Sequence, residues 1–170
     1  SGVHLLCQTT DLLAGHADEA ARLQAASLET GLQSTPIPEE YGGAGLSDVE
    51  CAIITHELAK GDAGFAMAME ISWVCTDMIL KHGSEAQKQK YLSGVVDGKL
   101  FAFCLTEPGA GSDASAGKTT AVKDGDEYVL NGRKCFITSG PVANVYSVFA
   151  TVDPSLGTKG ISCFIVERDR

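Results

Sequence analysis

The sequence predicts an α+β chain, with a helical domain over residues 1–99 followed by a β domain over 100–170. Three observations predict it. Two S-x-x-E/Q signatures, Ser47–Glu50 and Ser84–Gln87, open helical patterns in the first part. Short runs rich in Val, Ile, Phe and Thr take over after residue 99. Asp124-Gly125 and Asn131-Gly132, dipeptides that favour hairpin turns, punctuate the second part.

Each element follows in order. Ala17 to Leu28 is an Ala-rich helix with weak periodicity. Pro36-Ile37-Pro38 and Tyr41 to Gly45 form a loop. From Ser47 the apolar stripe Ile53, Ile54 and Leu58 makes a helix that Gly61 can end. A longer apolar helix runs from about Phe65 to His82 and stops at Gly83. Glu70 and Asp77 interrupt it, and charges are costly in lipid, so it reads as a helix buried in protein. Ser84 opens a shorter helix through Tyr91 and Leu92. Strands follow at Leu100–Thr106, Lys118–Lys123, Glu127–Leu130, Arg133–Thr138, Val145–Val152 and Ile161–Val166.

The 170 residues carry a net charge of −9, which argues against a general binder of nucleic acid or anionic membranes. An acidic surface still allows an anionic coenzyme held by local amides. Cys7, Cys51, Cys75, Cys104, Cys135 and Cys163 are widely spaced with no C-x-x-C pair, so they read as buried free thiols in a reducing compartment. His4, His16, His56 and His82 lack metal-ligand spacing, and no metal is expected. No secretory pattern is visible; a cytoplasmic setting is expected, with the mitochondrial matrix as the alternative.

The stretch Cys104-Leu105-Thr106-Glu107-Pro108-Gly109-Ala110-Gly111-Ser112-Asp113 is the most informative one. It leaves a strand and enters a small-residue loop with a hydroxyl on each side. Glycines let backbone amides come close to a ligand, and Thr106 and Ser112 can donate and accept. The composition suits the phosphates and polar ring edge of a nucleotide cofactor, and equally an ordinary Gly/Pro/Ser surface loop. Gly109 to Ala114 fits G-x-G-x-x-A, but that fingerprint must open a helix and strands follow here. Gly117-Lys118-Thr119 resembles the end of a Walker loop, yet Ser112 stands where its first glycine is needed.

The pair T-E-P-G-A-G-S-D (Thr106–Asp113) and N-G-x-K-x-F-I-T (Asn131–Thr138) resembles the acyl-CoA dehydrogenase family of flavoproteins. Pro38 to Gly45, Glu57-Leu58-Ala59, Gln87 to Leu92, Phe149-Ala150, Gly160-Ile161 and Phe164 to Glu167 fall in the family's order. The resemblance covers roughly residues 37 to 170 and says little about substrate. It implies an N-terminal helical domain and a middle antiparallel β-barrel, here partial. The family's C-terminal helical bundle, which supplies tetramer contacts and the glutamate base, has no counterpart, so that base is expected beyond Arg170 and no catalytic residue within the chain.

The implied activity is FAD-dependent α,β-dehydrogenation of an acyl-CoA thioester in fatty-acid metabolism, with electron-transfer flavoprotein as acceptor and a homotetramer as the full-length assembly. The alternative is a truncated, non-catalytic module of the same fold that binds flavin or a partner. By resemblance, Phe103, Cys104, Leu105, Thr106, Gly111 and Ser112 lie along the flavin, with Ser112 near a phosphate or the thioester. Phe136 covers the ring beside Ile137, and Thr138 donates toward flavin N5. Glu107 and Asp113 are expected to order the loop rather than act as bases. Met69, Glu70 and Trp73 lie on the helix resembling the acyl-pocket wall; a Met- and Trp-containing core helix explains them equally well.

Overall fold

The computed structural model describes residues 17–169, with side chains from Arg22 onward. Cys7, His4 and His16 lie outside the described residues. The chain divides into two compact units, one helical and ending at Phe101, the other rich in β structure and starting at Ala102.

The helical unit holds α1 (Ala17–Glu29), α2 (Asp48–Gly61), α3 (Ala63–His82) and α4 (Glu85–Val96). Both expected capping boxes form. Ser47 and Ser84 accept from the amides of Glu50 and Gln87, whose side chains bond back to the two serine amides at 2.8 Å. Asp62 serves two helices: its amide closes α2 on the Leu58 carbonyl, and its carboxylate accepts from Phe65 N at 2.7 Å. That cap starts α3 at Ala63, two residues before the expected Phe65. The shorter helix continues to Val96 rather than Leu92 because Leu92 and Val95 are both buried, which outweighs the helix-weakening Gly94 between them.

α3 is long and apolar enough to cross a membrane by length and composition alone. It packs against α2 and α4 instead. Ala66, Met69, Ser72, Trp73, Thr76 and Ile79 form its buried stripe at helical spacing. Trp73 Nε1 donates to the Gln33 carbonyl at 3.0 Å, so the indole is satisfied where it is buried. The 36–45 segment contains a short helical turn, Glu39–Tyr41, within the expected loop.

The β unit holds β1 (Phe101–Cys104), β2 (Thr120–Asp124), β3 (Glu127–Asn131), β4 (Val145–Thr151) and β5 (Ile161–Glu167). β2 and β3 form a hairpin from Thr120↔Asn131 to Asp124↔Glu127, turning at Gly125 with φ of 60°. β4 pairs antiparallel with β5 along its whole length, Val145↔Glu167 to Thr151↔Ile161, and also borders β1. It meets β2 in parallel at one pair, Thr120↔Thr151, so the sheet is mixed. Tyr128 of β3 and Phe164 of β5 place their ring centroids 5.3 Å apart. Ala102, Cys104, Ala121, Leu130, Ile137, Ala143, Tyr146, Val148 and Ala150 fill one core.

Two expectations are corrected here. Arg133–Thr138 is not a strand, and Asn131-Gly132 is not a hairpin turn. A Cβ on Gly132 would sit 2.3 Å from Thr119 Oγ1, so this glycine permits a close pass beside Thr119. Beyond it Phe136 and Ser139 adopt φ of 55° and 60°, which breaks any strand alternation. The thiol expectation holds for Cys51, Cys75, Cys104 and Cys135, which are free and buried; Cys163 is exposed.

Candidate functional site

Glu107 is the centre of the loop that leaves β1. Its carboxylate is 8% exposed and is held from three directions. Lys118 N donates to Oε2 at 2.7 Å. Thr119 donates to Oε1 through its amide at 3.0 Å and its hydroxyl at 2.5 Å. Lys134 Nζ completes the set at 2.8 Å from Oε1, and Lys134 itself is only 3% exposed. Burial alone pushes the Glu107 carboxyl up. The Lys134 ammonium, the Thr119 hydroxyl and the two amides outweigh it and hold the group at about 2. Glu107 is thus an ionised structural anchor, as expected of a loop-ordering acid, and a poor proton acceptor near neutral pH.

The same contacts join the two sequence blocks. Lys134 Nζ also donates to the Leu105 carbonyl at 3.0 Å, and Cys135 N donates to the Thr106 carbonyl at 3.0 Å. Glu107 and Ala110 exchange main-chain bonds of 3.0 and 3.1 Å, closing the Pro108-Gly109 turn. Asp113 accepts from the amide and hydroxyl of Ser115 and so caps the short turn that follows. The segments 104–107 and 134–136 therefore run side by side.

The expected site residues divide by what they expose. Thr106 and Thr138 are half-buried, and Gly111 and Ser112 are exposed. Phe136 is 68% exposed although both its neighbours, Cys135 and Ile137, are buried. Its left-handed backbone turns the ring outward, an uncommon conformation for a bulky residue. Ile137 and Cys104 point their side chains into the core, leaving only main-chain atoms for a ligand. Phe103 is half-buried with its ring 5.0 Å from that of Phe149. After Thr138, Tyr146 Oη donates to Gly140 O at 2.9 Å, and Arg168 donates to the Ala143 and Pro141 carbonyls.

In the helical unit, Met69 and Trp73 are core residues that cluster with Cys51, and Glu70 is half-buried. The role of Lys134 lay outside the sequence reading, though a signal was present. A lysine leading into the apolar run Cys135-Phe136-Ile137 needs an acidic partner if it is buried, and Glu107 is one of the two acids of the paired motif.

Family models for the acyl-CoA dehydrogenase N-terminal domain and middle domain match residues 10–99 and 102–170. The chain belongs to the acyl-CoA dehydrogenase family. The short-chain-specific acyl-CoA dehydrogenase of Clostridium acetobutylicum is 46% identical over 141 residues, covering 81% of this chain and 37% of that protein. Butyryl-CoA dehydrogenase from Megasphaera elsdenii superposes with a TM-score of 0.79 at 43% identity, over 86% of this chain and 39% of that one. An acyl-CoA dehydrogenase from Bacillus anthracis, solved in complex with FAD, gives 0.79 at 40% identity, over 91% of this chain and 26% of that one. The chain thus spans well under half the length of these members of the acyl-CoA dehydrogenase family.

Proposed function

We propose that this chain is the flavin-facing part of an enzyme that dehydrogenates acyl-CoA thioesters between Cα and Cβ. The observation that carries this reading is the lacing of Thr106–Asp113 to Lys134–Thr138 by Lys134, Glu107 and the Cys135–Thr106 bond. It sets the two blocks of the resemblance beside one another and leaves Gly111, Ser112 and Phe136 exposed.

The residues present fit a flavin. Nothing lies within 4 Å of where a Cβ would stand on Gly109 or Gly111, so main chain there can approach phosphate oxygens. Ser112 would hydrogen-bond a phosphate or the thioester. Thr106 would donate to the polar ring edge and Thr138 toward N5, while Phe136 would lie over the ring and exclude water. Phe103, Cys104, Leu105 and Ile137 would contribute mainly through the main chain. The chemistry that FAD supplies when bound is acceptance of a hydride equivalent, which no side chain can provide. The ionised Glu107 stays out of the proton transfer; the carboxylate that takes the α-proton is assigned to a segment outside residues 1–170. Electron-transfer flavoprotein is the proposed acceptor, and the pocket-wall role of Met69 and Trp73 gains no support from their burial in the helical core.

The test is anaerobic titration of the flavin-loaded full-length protein with acyl-CoAs of graded chain length. Bleaching of the flavin bands by one or more of them is expected. A flavin-replete protein that none of them reduces contradicts the assignment to this reaction.

A further inference from the structure

The buried Glu107–Lys134 pair does more than hold the loop, and this inference rests on the flavin reading above. The geometry points to a positioning pair that sets the direction in which Thr106 presents its main-chain N–H to the cofactor. The peptide unit joining Leu105 and Thr106 is trans, so its carbonyl and its N–H point in opposite directions. Lys134 Nζ grips the Leu105 carbonyl at 3.0 Å. The Thr106 N–H is therefore turned to the side away from Lys134. In the next unit Cys135 N grips the Thr106 carbonyl, and the Glu107 N–H turns away to the Ala110 carbonyl at 3.0 Å. Two successive peptide planes are thus fixed, each by a residue of the second motif.

Lys134 can hold this position only if its charge is met. A buried ammonium facing one carbonyl would be left largely uncompensated, and Glu107 at 2.8 Å supplies the counter-charge. Glu107 is aimed in turn by the hydroxyl and amide of Thr119 and the amide of Lys118. The dependence runs from Thr119 through Glu107 and Lys134 to the Leu105 carbonyl and so to the Thr106 N–H. A well-packed apolar pair would hold a fold equally well. What it could not do is orient a carbonyl.

The test uses the full-length protein, freed of FAD and titrated with it. Lys134→Met and Glu107→Gln are each expected to raise the FAD Kd by about tenfold or more and to shift the visible flavin bands. Lys134→Arg keeps the charge and the donors in a bulkier head group and should weaken FAD binding less than Lys134→Met. Thr119→Val removes a single bond to Glu107 in a side chain of similar shape, and should weaken FAD binding by about threefold. This milder variant decides the matter if the charge variants do not fold. Variants that unfold at lower temperature without FAD, yet keep wild-type FAD affinity and spectrum when folded, overturn the inference; so does Thr119→Val indistinguishable from wild type. Wild-type protein that takes up no FAD overturns the flavin reading itself, and this inference with it.

Discussion

At the scale of one residue, Phe136, proposed to lie over the flavin, carries a cost to stability. Its φ of 55° costs a non-glycine residue about 1 kcal/mol, and its ring is mostly solvated, so little burial offsets that cost. Phe136→Gly should leave the FAD-free protein at least as stable as wild type, by up to about 1 kcal/mol, while weakening FAD binding. Thermal unfolding with and without FAD measures both; marked destabilisation of the FAD-free form would show that the ring is structural. Glu107 gives the opposite case. Its carboxyl is held at about 2, below the ordinary 4.5, so it contributes stability that is present above about 4.5 and lost as pH falls toward 2. The contribution is up to about 3 kcal/mol. Urea unfolding of wild type across that pH window should show a steeper loss than Glu107→Gln; parallel slopes would mean that the carboxylate is not the linked group. The acid itself was legible in the sequence as a loop-ordering residue. Its partners were legible only in part: a lysine leading into an apolar run signals an acidic partner, but which acid it meets, and that Thr119 joins them, is set by the tertiary fold.

At the scale of elements, the helices were the most legible part. Ser47–Glu50 and Ser84–Gln87 announce their helix starts through local hydrogen bonds, which need no tertiary information. The hairpin at Asp124-Gly125 was legible for the same reason. Arg133–Thr138 was not, because its β-like composition serves another end. Lys134 must reach Glu107 and Leu105, and Phe136 must turn outward, so the segment gives up a strand's alternation. Asn131-Gly132 misled because glycine there solves a packing problem rather than a turn. Gly132→Ala should destabilise the β unit by about 1–3 kcal/mol, since its Cβ would meet Thr119 Oγ1 at 2.3 Å and Cα at 2.7 Å. Chemical denaturation checks this; a neutral result would mean that the backbone shifts away cheaply. In the helical unit, Trp73→Ala should cost about 3–5 kcal/mol, because it empties a core site and orphans the Gln33 carbonyl. A small cost there, with altered acyl-chain preference, would return Trp73 to the pocket wall.

At the scale of the whole molecule, the chain carries the N-terminal and middle parts of the acyl-CoA dehydrogenase family and spans 37% of the Clostridium relative's length. Family-level identity was legible because it rests on several separated blocks that fall in the family's order. Substrate choice was not, since the expected pocket residues Met69 and Trp73 are also what a helical core needs. The central claim is that Thr106–Ser112 and Phe136–Thr138 form one flavin-facing surface. Hydrogen–deuterium exchange of the full-length protein with and without FAD tests it most directly. FAD should slow exchange in peptides covering 105–112 and 136–140 and leave the Thr120–Asn131 hairpin unchanged. Stoichiometric FAD binding without protection in those two segments would contradict the account.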